Sequence, residues 1–142
     1  LRRTRVDFSP FFFIIMDMKN AEVEKKIKEI TDTIVREYKP EKVMLFGSWA
    51  WGYPHEDSDV DLLVIMKSDK SRLDRQQEVR ETIGYAGIPV DVLVHTPEEL
   101  DASINQRRNL FLEDVVRNGQ VLYEKPGFEF SCLHKPAELI SV

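Results

Sequence analysis

Gly47-Ser48-Trp49-Ala50-Trp51-Gly52-Tyr53-Pro54-His55-Glu56-Asp57-Ser58-Asp59-Val60-Asp61 is the stretch on which the reading of this chain turns. Ten residues separate Ser48 from Asp59. An apolar run, Val43-Met44-Leu45-Phe46, leads into it, and a second, Leu62-Leu63-Val64-Ile65, leads out. The layout is strand, small-residue turn, loop, then a strand that opens on two carboxylates. Side chains two apart on a strand share a face, so Asp59 and Asp61 point the same way as Leu63 and Ile65. Val60, Leu62, Val64 and Met66 take the other face, and apolar residues on both faces describe a strand buried on both sides. Two carboxylates at the mouth of such a strand repel each other and lose hydration. A hard divalent cation removes the difficulty, because it prefers oxygen ligands and is often held by one or two carboxylates together with substrate phosphates. D-x-D alone reads first as a solvated turn. The Gly-Ser turn that follows the preceding strand changes the balance, since glycine admits a close approach of backbone to phosphate and serine adds a hydroxyl.

A third carboxylate interrupts another apolar run, Pro89-Val90-Asp91-Val92-Leu93-Val94. A lone charge there needs a partner or water. Two explanations compete: an ion pair or exposed edge strand, or a place beside Asp59 and Asp61 on an adjacent strand. In the second case Asp91 completes a metal cage and accepts a proton from the attacking group.

These residues resemble the DNA polymerase beta-like nucleotidyltransferase superfamily, and within it the small stand-alone minimal nucleotidyltransferases. The resemblance rests on Leu45-Phe46-Gly47-Ser48, Ala50, Gly52, Ser58-Asp59-Val60-Asp61-Leu62 and Val90-Asp91-Val92, and it covers about residues 20–124. It implies that Asp59, Asp61 and Asp91 bind metal and form the catalytic set, with Asp91 helping to deprotonate the acceptor. It implies that Gly47 and Ser48 hold the nucleotide's triphosphate, and that two Mg²⁺ ions serve, with Mn²⁺ as a substitute. Many relatives carry an arginine after Gly-Ser, where this chain has Trp49 and Trp51. The resemblance further implies an antitoxin of a toxin-antitoxin system that transfers AMP from ATP to a tyrosine of a HEPN-domain partner. Two alternatives stand beside it: a non-catalytic HEPN-binding antitoxin subunit, and an antibiotic-type enzyme acting on a small hydroxylated molecule. The latter usually needs an extra helical domain, for which this chain has no room.

Composition sets outer bounds. At 142 residues the chain holds one domain. Its net charge of −5 supplies no basic field for nucleic acid, so direct nucleic-acid binding is not expected. One cysteine, Cys132, excludes an internal disulfide and suits a reducing cytoplasm. The three histidines show no zinc spacing, and His55 reads as a loop histidine. Arg2, Arg3 and Arg5 before Phe11-Phe12-Phe13-Ile14-Ile15-Met16 imitate a signal peptide, but Asp17 and Lys19 follow at once and no small-residue cleavage site is present. The run is too short to span a membrane, so no membrane partner is expected. Whether the chain forms a homo- or hetero-oligomer stays open.

The expected organisation is a non-native or disordered extension over 1–18, with Met16 or Met18 as natural start, a nucleotidyltransferase domain over 19–124, and a tail over 125–142. Within the domain, Asn20 is expected to cap a helix over 21–38, ended by Pro40. Strands are expected at 42–46, about 60–66, and 89–94. A helix near 71–84 should bury Leu73, Val79 and Ile83. Thr96-Pro97-Glu98-Glu99 reads as a capping box opening a helix to about Ile104 or beyond. A further helix should run from about 109 to 118 and stop at Asn118-Gly119, with a last short strand at Val121-Leu122-Tyr123. Alternating helices and strands give an α/β (α+β) domain, which the resemblance refines to the nucleotidyltransferase fold, a mixed sheet backed by helices. Candidate pyrophosphate contacts are Lys67, Lys70, Arg72, Arg75, Arg107 and Arg108, each weighed against an ordinary place on a solvated face.

Overall fold

The computed structural model describes residues 10–51 and 59–128, with backbone alone for 10–20 and 51. His55, Gly52 and Ser58, and most of the expected tail, lie outside these residues. Ten elements follow in order: α1 (Pro10–Tyr38), β1 (Lys42–Phe46), α2 (Ser48–Trp51), β2 (Val60–Ile65), α3 (Arg72–Ile83), β3 (Val90–His95), α4 (Pro97–Asp101), a π-helical turn (Ala102–Gln106), α5 (Leu110–Asn118) and β4 (Gln120–Glu124).

The sheet is mixed, in the order β3-β2-β1-β4. β1 pairs antiparallel with both β2 and β4, and β2 pairs parallel with β3. Strand alternation sorts the core into two layers. On one face Val43, Leu45, Val60, Leu62, Val64, Val92 and Val94 meet Val23, Ile27, Ile30 and Ile34 of α1 and Val79 of α3. The α1 residues recur at helical spacing and form the stripe expected of an amphipathic helix. On the other face Met44, Phe46, Leu63 and Ile65 meet Leu100 of α4, Ile104 of the π-helical turn, and Leu112, Val115 and Val116 of α5. Every side chain of β1 and all but Asp61 in β2 is buried.

Three expectations need correction. First, α1 starts at Pro10 rather than after Asn20, so Asn20 lies inside the helix and residues 10–18 of the expected extension carry helical backbone. Proline is well tolerated at a first helical position, and no breaker intervenes before Tyr38. Second, Leu73 is 76% exposed, and the inward stripe of α3 begins instead at Arg75 and continues to Val79, one turn on. An apolar residue in the first turn after the Ser71 cap yields to a buried arginine whose partners lie elsewhere in the fold. Third, the helix that opens at Thr96 does not run on as α-helix. Its capping box forms, with Thr96 Oγ1 accepting from the Glu99 amide at 3.1 Å and the Thr96 amide donating to Glu99 Oε1 at 3.0 Å, but after Asp101 it widens into the π-helical turn.

Candidate active site

The three aspartates are placed by strand register. β1 and β2 set Phe46 opposite Asp61, and β2 and β3 set Asp61 opposite Asp91. Phe46, Asp61 and Asp91 therefore form one row across three strands, on the face that carries α4 and α5. Asp59 stands two residues before Asp61, just ahead of β2, and is exposed.

Gly47 follows Phe46 and turns the chain with φ +78°, a left-handed conformation that suits glycine. A Cβ built there falls 2.3 Å from Asp61 Oδ2. The Asp61 carboxylate thus lies against the bare backbone of the turn, in space that any other residue would fill. Ser48, half-buried, opens the single turn of α2 behind it, and the Ala50 amide donates to the Gly47 carbonyl at 3.1 Å.

Electrostatics ties the three acids together. Burial pushes the Asp61 carboxyl above its ordinary pKa, and the charges of Asp91 and then Asp59 push it the same way. Lost hydration disfavours the charged carboxylate first, and the like charges across the strand pair and two residues upstream add to it.

The carboxylates do not yet close on a common point. Among the described residues, no three His, Cys, Asp or Glu side chains stand arranged to hold a metal ion. Asp91 is engaged with a cation instead: its Oδ1 accepts from Arg80 Nη2 of α3 at 3.0 Å. β3 is an edge strand, α3 packs on the opposite face, and the guanidinium reaches Asp91 around that edge. Both readings of Asp91 therefore describe its position, since it is at once an ion-paired edge residue and the neighbour of Asp61. Both side chains are about half exposed (50% and 51%), and pairs of this kind are worth only about 0–1 kcal/mol. Rotation of Asp91 toward Asp61 meets little resistance from such a bond. The donor set of three acidic oxygen ligands on adjoining strand ends fits a hard divalent cation.

Sequence reasoning missed Arg80. Its signal was faint: one arginine among several on a polar helix, eleven positions before Asp91. Arg75 is removed from the candidate pyrophosphate contacts. It is 2% exposed and donates to both Glu99 oxygens, at 2.8 and 2.6 Å, and to the carbonyls of Lys70 and Val94. Lys70 pairs with Glu78.

The sequence profile of the family "Polymerase beta, Nucleotidyltransferase" matches residues 25–127. Protein adenylyltransferase MntA of Aphanizomenon flos-aquae is 33% identical over 89 residues, which span 62% of this chain and 59% of that protein. An inferred protein adenylyltransferase of Methanocaldococcus jannaschii is 32% identical over 129 residues, covering 82% of this chain and 85% of that one. Among solved structures, a toxin-antitoxin complex determined with AMP-PNP aligns at a TM-score of 0.53 and 18% identity, over 80% of this chain and 86% of the other. That last likeness is one of fold.

Proposed function

From the premise that this chain belongs to the polymerase beta nucleotidyltransferase family, we propose that it is a protein adenylyltransferase acting as an antitoxin, moving AMP from ATP to a tyrosine of a HEPN-domain toxin. The observation that carries this reading is the row Phe46, Asp61, Asp91, with the Asp61 carboxylate seated on the glycine turn. Relatives named protein adenylyltransferase and a fold shared with a toxin-antitoxin complex support the choice of a protein acceptor. A single cysteine accords with work in the cytoplasm.

Asp59, Asp61 and Asp91 are the residues to hold two divalent cations, Mg²⁺ or Mn²⁺. Bound there, such ions balance the carboxylates' repulsion and polarise the phosphoryl oxygens of an in-line displacement. The chain's own share is positioning and charge control. Gly47 and Ser48 offer backbone and a hydroxyl to the triphosphate. Asp91 exchanges Arg80 for the site and takes the proton of the acceptor hydroxyl as its oxygen attacks the α-phosphorus. The bond between the α-phosphorus and its bridging oxygen breaks, and pyrophosphate leaves. The acceptor keeps a nucleoside monophosphate.

Incubation of the chain with ATP labelled at the α-phosphate, Mg²⁺ and a candidate HEPN partner tests the reading. Label on a partner tyrosine, lost with Asp59→Asn plus Asp61→Asn, is the expected result. A tight complex that carries no label, unchanged by the double substitution, would instead identify a binding antitoxin without catalysis.

A further inference from the structure

Residues 47–61 contain four acidic side chains and neither lysine nor arginine. A triphosphate seated on Gly47-Ser48 therefore needs cationic partners from another part of the chain. Of the six basic residues considered above, four are excluded by position. Lys67 lies beyond the end of β2 that is remote from Asp61. Arg72 sits near the matching end of β3, where its charge acts on buried His95. Lys70 precedes α3, whose other end brings Arg80 to Asp91, so it lies at the remote end too; Arg75 is buried there against Glu99 and the Val94 carbonyl.

Arg80 pairs with Asp91 but belongs to α3, on the opposite face of the sheet; Arg107 and Arg108 are left, and the topology carries them to the site. β3 ends at His95, at the remote end of the sheet. α4 and the π-helical turn then run back for ten residues, about 14 Å of helix, against the roughly 20 Å of a six-residue strand. The two arginines follow directly, and α5 opens on Leu110-Phe111. The Phe111 ring stands edge-on to Phe46, with centroids 5.7 Å apart and planes at 80°. Phe46 is the row partner of Asp61 and the residue before Gly47. The corner is also held in an unusual shape. Arg108 has φ +55°, and the flanking amides of Arg107 and Asn109 donate to the carbonyls of Ala102 and Ser103 at 3.0 and 2.8 Å. Both arginines are exposed, and among the described residues neither has a carboxylate partner.

We propose that Arg107 and Arg108 take the charge of the β- and γ-phosphates of the bound nucleoside triphosphate, and of the pyrophosphate that leaves, with Phe111 fixing their corner against the Gly47 turn. This rests on the nucleotidyltransferase reading.

The test is a chain carrying Arg107→Ala and Arg108→Gly, because glycine keeps the left-handed backbone at 108 while removing the guanidinium. Binding of Mg²⁺-tripolyphosphate, MgATP and AMP is measured by calorimetry, with melting temperature alongside. The expected result is at least a tenfold loss, roughly, for MgATP and tripolyphosphate, with AMP binding and melting temperature unchanged. Arg107→Glu alone, outside the left-handed position, should weaken both polyphosphates in the same direction, and Arg107→Lys with Arg108→Lys should retain part of the affinity. MgATP bound equally well by wild type and both charge-removing variants overturns the assignment while leaving the nucleotidyltransferase reading intact. Failure of the wild type to bind either MgATP or tripolyphosphate sinks the two together.

Discussion

The two ends of the sheet handle charge in opposite ways. At the remote end, Arg75 is buried and its guanidinium is fully engaged, by the two oxygens of Glu99 and by two backbone carbonyls. Glu99 in turn closes the capping box of α4, so one ion pair joins α3, β3 and α4. At the other end, the charges of Asp91 and Asp59 bear on Asp61, and Arg80, the cation paired with Asp91, is half exposed and loosely held. One cluster is satisfied by the fold. The other keeps like charges together that the proposed metal ions would balance. Stability is expected to reside in the first and chemistry in the second, and substitutions at the two ends should therefore have opposite signatures.

Asp61→Asn gives the largest expected effect. Transfer should drop to background, a loss of more than about a hundredfold, because the central carboxylate of the row is gone. Thermal stability in chelator should not fall, since the change also removes a repulsive, partly buried charge. A marked drop in melting temperature without metal would break the comparison by showing that Asp61 supports the fold.

Glu99→Gln should do the reverse. It strands a buried guanidinium and costs about 3 kcal/mol, toward the low end for a broken buried pair because the Glu99 side chain keeps 43% exposure. Nucleotide binding by whatever remains folded should persist. The pH dependence sharpens the point. The Arg75 guanidinium holds the Glu99 carboxyl well below its ordinary value of 4.5, at about 2. A carboxyl with a depressed folded pKa contributes stability above its unfolded pKa and loses it as pH falls through the folded one. The stability gap between wild type and Glu99→Gln should thus be steady above pH 4.5 and shrink between 4.5 and about 2, as read by denaturant unfolding. Asp61, whose pKa is raised, has the opposite sense: its share of stability is present at low pH and is lost as the carboxyl ionises. A gap that does not narrow on acidification would show that the Arg75–Glu99 pair is not what distinguishes the two ends.

The two ends also differed in how far the sequence revealed them. The placement of Gly47, Asp59, Asp61 and Asp91 was visible because it depends on local order: a turn after one strand, a two-residue period on the next, a charge inside a third apolar run. The four strands, the Thr96 capping box and the Asn118-Gly119 stop were visible for the same reason. What escaped was long-range. Arg75 meets Glu99 across 24 positions, and nothing within α3 announces that an arginine rather than Leu73 will face inward. Arg80 meets Asp91 only because β3 is an edge strand, which follows from sheet order and not from either residue's neighbours. The widening of α4 into a π-helical turn, which helps deliver Arg107 and Arg108 toward the site, had no local signal either.

Ser48→Ala is the smallest change and probes the boundary between the two behaviours. Ser48 belongs to the turn that supports Asp61, yet it is only half-buried, and the hydrogen bond that closes this turn runs from the Ala50 amide to the Gly47 carbonyl. Loss of its hydroxyl should therefore leave melting temperature unchanged. If the hydroxyl faces the triphosphate, its removal deletes one hydrogen bond worth about 1 kcal/mol, so MgATP affinity should fall about fivefold by calorimetry. Unchanged affinity would take Ser48 out of the nucleotide site and leave the Gly47 backbone and the basic corner at 107–108 to hold the phosphates. A fall in melting temperature would place Ser48 with the structural end, and the division between a satisfied scaffold and an unsatisfied site would then run between Ser48 and Asp61 rather than along the length of the strands.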